Sequence, residues 1–417
     1  MNFKKESLLG TLFAYNRPLI WYTFTMKILF YRWQAFNEDL IEHNLIQMGH
    51  EVVSYDKECT NYTKDLKLAS DMIPFIHNNG IEAILSNNYF PIISSICDVV
   101  GIPYYSWVFD CPHFTLYAKQ AFLNCNHIGI FDKELVDTLV AKGCTTVHHV
   151  PLSTDTDTFG KVIREATDTS LKRFTSDISF IGTLYTDDYH YYDSLQIDSS
   201  VRKKTDDYIN EHLFNYESSA EHLPQELAES WYESMASVGL LLDEAEFYSS
   251  KDYILESSVL EKHMTVKERR IFLSTIAEKY SPEVFSLYTN SDLSSMPVLQ
   301  AHNKGIVDYN KEMPLVFNRS RINLNITLRS IHSGIPLRVM DILGCGGFVL
   351  SNYQPELAEF FKEDEEIVLF RSLEECLDKI DYYLSHEDKR VQIARAGFDA
   401  VKKNFDYKTG LSKLLHI

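Results

Sequence analysis

The stretch Ser333–Phe348 contains the residue types that bind a phosphate-bearing ligand. Arg338 and Asp341 are three residues apart in a predicted short helix, so they face the same side. Main-chain N–H groups at the start of that helix, beside Pro336, can hold a diphosphate, and the forked guanidinium of Arg338 can neutralise its charge. Asp341 can accept hydrogen bonds from a ribose diol. The competing interpretation is a tight turn with a buried Arg–Asp pair.

Glycines flank this predicted helix on both sides. Gly334 precedes it, and Gly346 and Gly347 follow it and let the next strand pack closely. Gly182 ends a buried-type strand earlier in the chain and offers a second turn for phosphate binding. No GxGxxG turn follows the first strand and no Walker motif is present, which disfavours dehydrogenases, kinases and P-loop enzymes.

Further candidates for donor binding precede the helix. Asn323 and Asn325 alternate along a predicted strand, so they share one face. His332 could donate to a phosphate or to a sugar hydroxyl, or be an ordinary loop histidine. Arg319 and Arg321 are further cation candidates, with surface salt bridges as the alternative.

The first half of the chain offers one candidate for acid–base chemistry. Asp110 and His113 follow the predicted strand Ile102–Phe109, and the carboxyl ends of parallel strands are where such sheets bind ligands. Either side chain could take a proton from an acceptor hydroxyl, with Pro112 fixing the loop. The alternative is a structural turn in which Asp110 bonds main-chain N–H groups.

The sequence predicts no metal site. Asp155 and Asp157 match a DxD triplet, but they lie in a Thr/Asp-rich segment after no apolar strand, which favours a solvated interdomain turn. No CxxC pair occurs among the seven cysteines, so reduced thiols in a cytoplasmic protein are expected rather than a zinc site or disulfides.

Short apolar runs alternate with helical spacing along the chain, which predicts βαβ units, a parallel sheet and an α/β fold of two facing Rossmann-like domains. Residues 1–25 are expected to be an N-terminal extension and residues 26–152 the acceptor domain. Residues 153–417 are expected to be the donor domain. Its last helix could pack back on the N-terminal domain. A linker is predicted near 153–177. A polar, tyrosine-bearing segment, 188–262, predicts a helical insertion early in the second domain.

Length and charge narrow the function further. The 417 residues exceed what one core usually holds, so two domains are expected. With 40 basic and 59 acidic residues the formal charge is −19, which argues against a nucleic-acid partner. No uninterrupted apolar run of about 18 residues occurs, so no membrane span is expected.

The run Gly334–Phe348 and its continuation Asn352–Phe360 resemble the donor-site motif of GT-B-fold glycosyltransferases, in particular the branch similar to the spore-maturation CgeB-like proteins. The stretches Trp107–His113 and Phe180–Tyr185 are similar to the same branch. The resemblance extends from about Met26 to the end, apart from part of the predicted insertion 188–262.

The resemblance implies a transferase that moves a sugar from a nucleotide-sugar donor, with UDP the favoured nucleotide, to a hydroxyl of a glycan, a protein or a cell-surface precursor. It implies no obligatory metal and no cofactor beyond the co-substrate. Two alternatives stay open: a non-catalytic glycan-binding or spore-coat-type protein, and a nucleotide-sugar epimerase of the same fold.

One departure from the related family-4 enzymes bears on the chemistry. Those of the retaining type often carry two glutamates eight residues apart, and Asp341 matches the second of them. The first position is Ser333, which cannot replace a carboxylate. The sequence therefore leaves the group beside the donor sugar, and the stereochemical outcome, unassigned.

Overall fold

A computed structural model describes residues 25–186, 190–216, 222–248 and 250–416. The predicted N-terminal extension therefore lies outside the described residues, apart from Thr25.

The N-terminal domain is built on a six-stranded parallel sheet with the strand order β2-β1-β3-β4-β5-β6. Its central strands are buried along their whole length, which explains why they are continuous apolar runs in the sequence. The strands are β1 (Lys27–Tyr31), β2 (Glu51–Tyr55), β3 (Ala83–Asn87), β4 (Tyr104–Val108), β5 (Asn126–Ile130) and β6 (Val147–His149). The helices between them are α1 (Glu38–Gln47), α2 (Leu66–Asn79), α3 (Pro91–Val100) and α4 (Lys133–Ala141).

Side-chain caps fix where these helices begin. Asp65 accepts from the main-chain N–H of Leu68 at the start of α2, and Asp132 accepts from Leu135 at the start of α4. Gly80 ends α2 in the left-handed conformation, with φ 60°. The caps at Asp65 and Asp132 thus fix the ends of two strand-to-helix loops at the carboxyl edge of the sheet.

The C-terminal domain contains a five-stranded parallel sheet with the order β11-β10-β9-β7-β8. These strands are β7 (Ser176–Ile181), β8 (Phe285–Tyr288), β9 (Ser320–Asn325), β10 (Val349–Asn352) and β11 (Val368–Phe370). Helices α5 (Thr156–Glu165) and α6 (Asp168–Arg173) precede β7. The later helices are α12 (Pro297–His302), α13 (Met313–Arg319), α14 (Leu337–Gly344), α15 (Pro355–Phe360), α16 (Leu373–Ser385), α17 (Glu387–Asn404) and α18 (Tyr407–Leu415). The two sheets confirm the predicted α/β fold class.

Helices fill the described parts of the segment between β7 and β8. They are α7 (Tyr191–Ser194), α8 (Ser199–His212), α9 (Gln225–Ser237), α10 (Lys251–Ile254) and α11 (Glu261–Lys279), with a π-helical turn, Leu255–Leu260, joining the last two. The segment docks on the N-terminal domain, where the main-chain N–H of Tyr248 donates to Tyr117 and that of Lys119 donates to Glu246.

The last helix crosses to the N-terminal domain. Tyr407 of α18 packs edge-on against Trp107 of β4, with ring centroids 5.9 Å apart. A Cβ on Gly410 would lie 2.3 Å from the same indole ring, so only glycine fits at this crossing. One hydrophobic core consequently runs from the N-terminal sheet through α18 into the C-terminal domain.

The segment predicted as a linker, near 153–177, contains the two helices α5 and α6. Asp155 is the N-cap of α5 and accepts from the main-chain N–H of Thr158 at 2.8 Å. Asp157 pairs with Lys402. The two aspartates of the DxD triplet therefore have separate structural partners, and the solvated turn predicted for them is a capped helix start.

None of the described helices is both long enough and apolar enough to cross a membrane.

Candidate active site

A cavity of about 250 Å³, here called the interdomain cavity, lies where the two domains face each other. The N-terminal domain contributes the loop after β4. The segment after β7 and the π-helical turn before α11 form the opposite wall. The lining residues that matter below are Cys111, Pro112, Tyr185, Ser257, Lys262 and Leu328.

Asp110 lies at the entrance to the loop that lines this cavity, and it is exposed. Its Oδ2 accepts from Nδ2 of Asn88 at 2.6 Å, and Oδ1 of Asn88 accepts from the main-chain N–H of Asp110 at 3.2 Å. Asn88, at the end of β3, thus orients the carboxylate from the neighbouring strand. The Asx-type turn proposed as the alternative is not what holds Asp110.

His113 faces into its own loop rather than into open space. Its Nε2 lies 2.8 Å from the hydroxyl of Thr115 and 3.2 Å from the main-chain nitrogen of Tyr89. The main-chain N–H of His113 donates to the hydroxyl of Tyr253, at 3.1 Å. Burial lowers the pKa of His113. These contacts hold His113 within its loop, and the acid–base role predicted for it stays a prediction.

Arg269 of α11 joins the carboxyl ends of two neighbouring strands of the C-terminal sheet. Its two terminal nitrogens donate to the main-chain oxygens of Thr183, after β7, and Ile326, after β9. The guanidinium lies 4.8 Å from the centroid of the Tyr185 ring, and a Cβ on Gly182 would be 3.5 Å from Nη1. Its buried Nε has no hydrogen-bond partner among the residues that the structure describes.

Arg338 is a second cation in the same region. It forms no ion pair with Asp341, and its one described polar partner is the Met313 sulfur, 3.3 Å from Nη1. Burial first, and then the charge of Arg338, lower the pKa of Arg269. The main-chain N–H groups of Leu337 and Arg338 have no acceptor among the described residues. Two cations that form no ion pair with any described carboxylate, together with a helix start, make a site suited to a diphosphate.

Asp341 is more enclosed than the sequence predicted, with 1% of its surface exposed. Its Oδ1 accepts from the Thr154 hydroxyl at 3.1 Å and from the Tyr309 hydroxyl at 3.2 Å. Burial raises the pKa of Asp341 from 3.8 to about 7. A ribose hydroxyl could take the place of the Tyr309 hydroxyl without changing the number of hydrogen bonds.

Two predicted donor-site asparagines are internal. Asn323 is 1% exposed; its Nδ2 donates to the main-chain oxygens of Phe317 and Phe348, and its Oδ1 accepts from Ser179. Asn325 bonds the hydroxyls of Thr327 and Ser351 through Nδ2. Both side chains therefore hold the sheet together, and the expectation that they touch the donor is corrected.

The predicted glycines likewise have packing roles. A Cβ on Gly334 would lie 2.8 Å from the Phe131 ring, so this glycine permits close contact with the N-terminal domain. Gly346 has φ +72°, and a Cβ on Gly347 would lie 2.6 Å from the main-chain oxygen of Phe317. Because Gly346 and Gly347 precede β10, they lie at the amino edge of the sheet, away from the cavity. Pro336 is the N-cap of α14, as its predicted position requires.

The remaining candidates for a cationic donor contact are Arg319, Arg321 and His332. Arg321 pairs with Asp177 at 2.8 Å, which is the surface salt bridge proposed as the alternative. Arg319 is exposed at the end of α13. His332 lies between two carboxylates, with Nε2 2.7 Å from Glu261 and Nδ1 3.3 Å from Glu134.

Ser333 is surrounded by a network of carboxylates that the sequence did not predict. Oδ2 of Asp132, from the N-terminal domain, accepts from the main-chain N–H groups of His332 and Ser333, at 2.7 and 3.2 Å. The Ser333 hydroxyl lies 2.8 Å from Oε1 of Glu356, whose Oε2 lies 2.9 Å from Nε2 of His149. The position that lacks a glutamate is thus bracketed by two carboxylates from elsewhere in the chain.

Among the described residues, one trio of potential metal ligands is present: His190, Asp193 and His263. Nε2 of His190 lies 2.9 Å from Nδ1 of His263, and Asp193 lies 3.5 Å from His190. A hydrogen bond between the two imidazoles accounts for their approach without an ion.

Residues 267–416 match the family model described as glycosyl transferase-like. This part of the chain is therefore similar to glycosyl transferases. The matched residues include Arg269, the helix α14 and the strands β8 to β11. No curated protein matches the chain.

Solved glycosyltransferases share the whole architecture. A glycosyltransferase from Rickettsia africae ESF-5 has a TM-score of 0.55 at 11% identity, over 94% of this chain and 97% of its own. HepE from Anabaena, in complex with UDP-glucose, has a TM-score of 0.52 at 9% identity, over 94% and 98%. The sucrose-phosphate synthase of Thermosynechococcus elongatus has a TM-score of 0.52 at 8% identity, over 94% and 98%. At these identities the likeness shows the fold, which is of the GT-B type.

Proposed function

We propose that the protein is a glycosyltransferase that moves a sugar from a UDP-sugar to a hydroxyl of a glycan or protein acceptor, without a metal ion. The observation that carries the proposal is the pair Arg269 and Arg338, two cations at the carboxyl edge of the C-terminal sheet that form no ion pair with a carboxylate in the described parts of the chain. The UDP-glucose complex of HepE, a protein of the same fold, supports this choice of donor.

In the proposed reaction Asp110 takes the proton from the acceptor hydroxyl, whose oxygen then bonds to the anomeric carbon of the donor. The bond between that carbon and the diphosphate oxygen breaks, and negative charge accumulates on the leaving UDP. Arg338, Arg269 and the free N–H groups at the start of α14 stabilise this charge, which is the task a metal performs in other transferases. A direct displacement of this kind would invert the anomeric centre.

Closure between the domains supplies the second requirement, because a dry site favours transfer to the acceptor over transfer to water. The contacts that support closure are those of Asp132 with the main chain of His332 and Ser333, and that of Tyr253 with the loop after β4. Ribose binding by Asp341 is part of the proposal, with the Tyr309 hydroxyl as the group displaced.

The test is a calorimetric titration of the full chain with UDP and then with UDP-glucose, followed by product analysis. Binding of both, with release of UDP that depends on an added acceptor, is the expected result. Absence of nucleotide binding would overturn the transferase and the epimerase together and leave the non-catalytic alternative. Interconversion of the sugar without any acceptor would identify the epimerase.

A further inference from the structure

A cavity of about 650 Å³, here called the aromatic cavity, opens at the carboxyl ends of β1 and β2 in the N-terminal domain. It is separate from the interdomain cavity and plays no part in the donor site described above. Its walls are the aromatic rings of Trp33, Tyr62 and Phe90 and the carboxylates of Glu38, Asp56 and Glu58.

Two of the aromatic rings are exposed, and both pack on the buried ring of Phe90. Trp33 is 38% and Tyr62 54% exposed, although both are large rings. Tyr62 stacks on Phe90 with centroids 5.7 Å apart, and Trp33 meets Phe90 edge-on at 6.2 Å. Nε1 of Trp33 donates to the main-chain oxygen of Asn87 at 2.8 Å, which holds the indole in place. Rings fixed before binding lose little conformational entropy when a ligand covers them.

The polar walls are acidic. Asp56 and Glu58 are exposed, and neither has a hydrogen-bond or ion-pair partner in the described parts of the chain. Arg32, the basic residue of the cavity, is already paired with Glu38, Asp39 and Glu42. A ligand carrying phosphate would meet uncompensated negative charge here, in contrast to the region of Arg338.

We propose that the aromatic cavity binds sugar units of a neutral oligosaccharide acceptor, beyond the unit whose hydroxyl reacts; this rests on the proposed function. A pyranose ring has a face of C–H groups that packs on aromatic rings and a rim of hydroxyls that donate to carboxylates. Trp33 and Tyr62 would supply the first contact, and Asp56 and Glu58 the second.

The position of the cavity agrees with this use. β1 and β4 are separated by β3, so Trp33 and Asp110 follow strands about 10 Å apart on the same edge of the sheet. Asn87 and Asn88 bridge the interval, since the first holds Trp33 and the second holds Asp110. An acceptor with its reacting hydroxyl at Asp110 reaches the aromatic cavity only when it has more than one sugar unit.

The experiment measures binding of neutral oligosaccharides to the full chain, first on a glycan array and then, for each hit, by calorimetry. The variants are Trp33→Ala and Tyr62→Ala, with Tyr62→Phe retaining the ring face. Tyr382→Ala removes a ring of similar exposure, 44%, on α16 of the other domain and is the matched control.

We expect Trp33→Ala and Tyr62→Ala to weaken oligosaccharide binding about tenfold or more, because each removes an aromatic contact worth about 1.4 kcal/mol. Tyr62→Phe and Tyr382→Ala should bind as the wild type does. Hits that bind all four variants equally, or a wild type that binds no neutral oligosaccharide with or without saturating UDP, would overturn the proposal.

UDP titration of the same variants separates this inference from the proposed function. Unchanged UDP binding with lost oligosaccharide binding supports both. Oligosaccharide binding that depends on Trp33, in a protein that binds no UDP, would refute the transferase and leave a glycan-binding cavity.

Discussion

Nε2 of His332 lies 2.7 Å from Oε1 of Glu261, the first residue of α11. The other ring nitrogen is 3.3 Å from Glu134 of the N-terminal domain, so the imidazole bridges two carboxylates from different domains. The charge of Glu261 is the main reason why the pKa of His332 is raised well above its ordinary value. A histidine that the sequence offered as a donor ligand therefore lies between carboxylates of the two domains, which favour its protonated form.

This pair predicts the pH dependence of stability. Because the folded-state pKa of His332 is raised, its stabilising contribution is fully present below the unfolded pKa of about 6.5 and is lost as the pH rises through the folded value. His332→Gln should lower the melting temperature most near pH 6 and progressively less toward pH 10. The control is His77→Gln, at an exposed position on α2. A melting difference for His332→Gln that does not change with pH would contradict the ion-pair account.

Arg338 should be required for donor binding but not for the fold. Arg338→Ala removes a guanidinium that forms no ion pair with a described carboxylate, so we expect a loss on the order of 2–4 kcal/mol in donor affinity or transition-state stabilisation, with little change in melting. Arg270→Ala is the matched control, because Arg270 is an exposed arginine next to Arg269 on α11. Unchanged UDP titrations and unchanged transfer kinetics in a folded Arg338→Ala variant would remove this residue from the site.

The fold was predictable because its signals are local. Each buried strand, such as Ala83–Asn87, is a short apolar run, and helix ends such as Gly80 follow known punctuation. A local signal of the same kind, the predicted helix start beside Pro336, identified Arg338.

The rest of the site depends on tertiary placement. Arg269 lies in the run Lys267–Arg270, which is typical of a solvated helix face; only the packing of α11 across the strand ends buries Glu268 and Arg269 and leaves Arg270 exposed. The opposite error concerns Asn323, where a polar residue in a strand suggested a ligand contact. Its side chain bonds α13 and the neighbouring strand, partners that no sequence spacing reveals.

The raised pKa of Asp341 predicts a second pH dependence of stability, in a different pH range. Burial raises its pKa from 3.8 to about 7, so the contribution of the neutral form is complete below about pH 4 and is lost as the pH rises through 7. Asp341→Asn, which stays neutral, should therefore gain in melting temperature relative to wild type between pH 5 and pH 8. The gain is at most a few kcal/mol, since one pKa unit corresponds to about 1.4 kcal/mol. A constant difference across this range would show that Asp341 is not protonated in the folded protein.

Transfer should continue in excess chelator, because arginines and helix N–H groups are proposed to balance the charge of UDP. The experiment compares rates with and without a strong chelator, in wild type and in His263→Ala. Burial and the neighbouring His190 lower the pKa of His263 to about 4, which favours the neutral imidazole. Loss of activity on chelation, restored by manganese or zinc in wild type only, would assign a metal to the trio His190, Asp193 and His263.

Asp110 should be needed for transfer and dispensable for stability. Its carboxylate is exposed and oriented by Asn88, so Asp110→Asn keeps the geometry and removes the base. We expect unchanged melting, near-normal UDP binding and transfer slowed by about 10²–10⁴. His113→Ala should instead lower the melting temperature, because His113 is bonded within its loop. Asp98→Asn, at an exposed position on α3, controls for the loss of a surface charge. Transfer at the wild-type rate by Asp110→Asn would place the base elsewhere, whereas a melting loss larger than the rate loss would make Asp110 a structural residue of the loop.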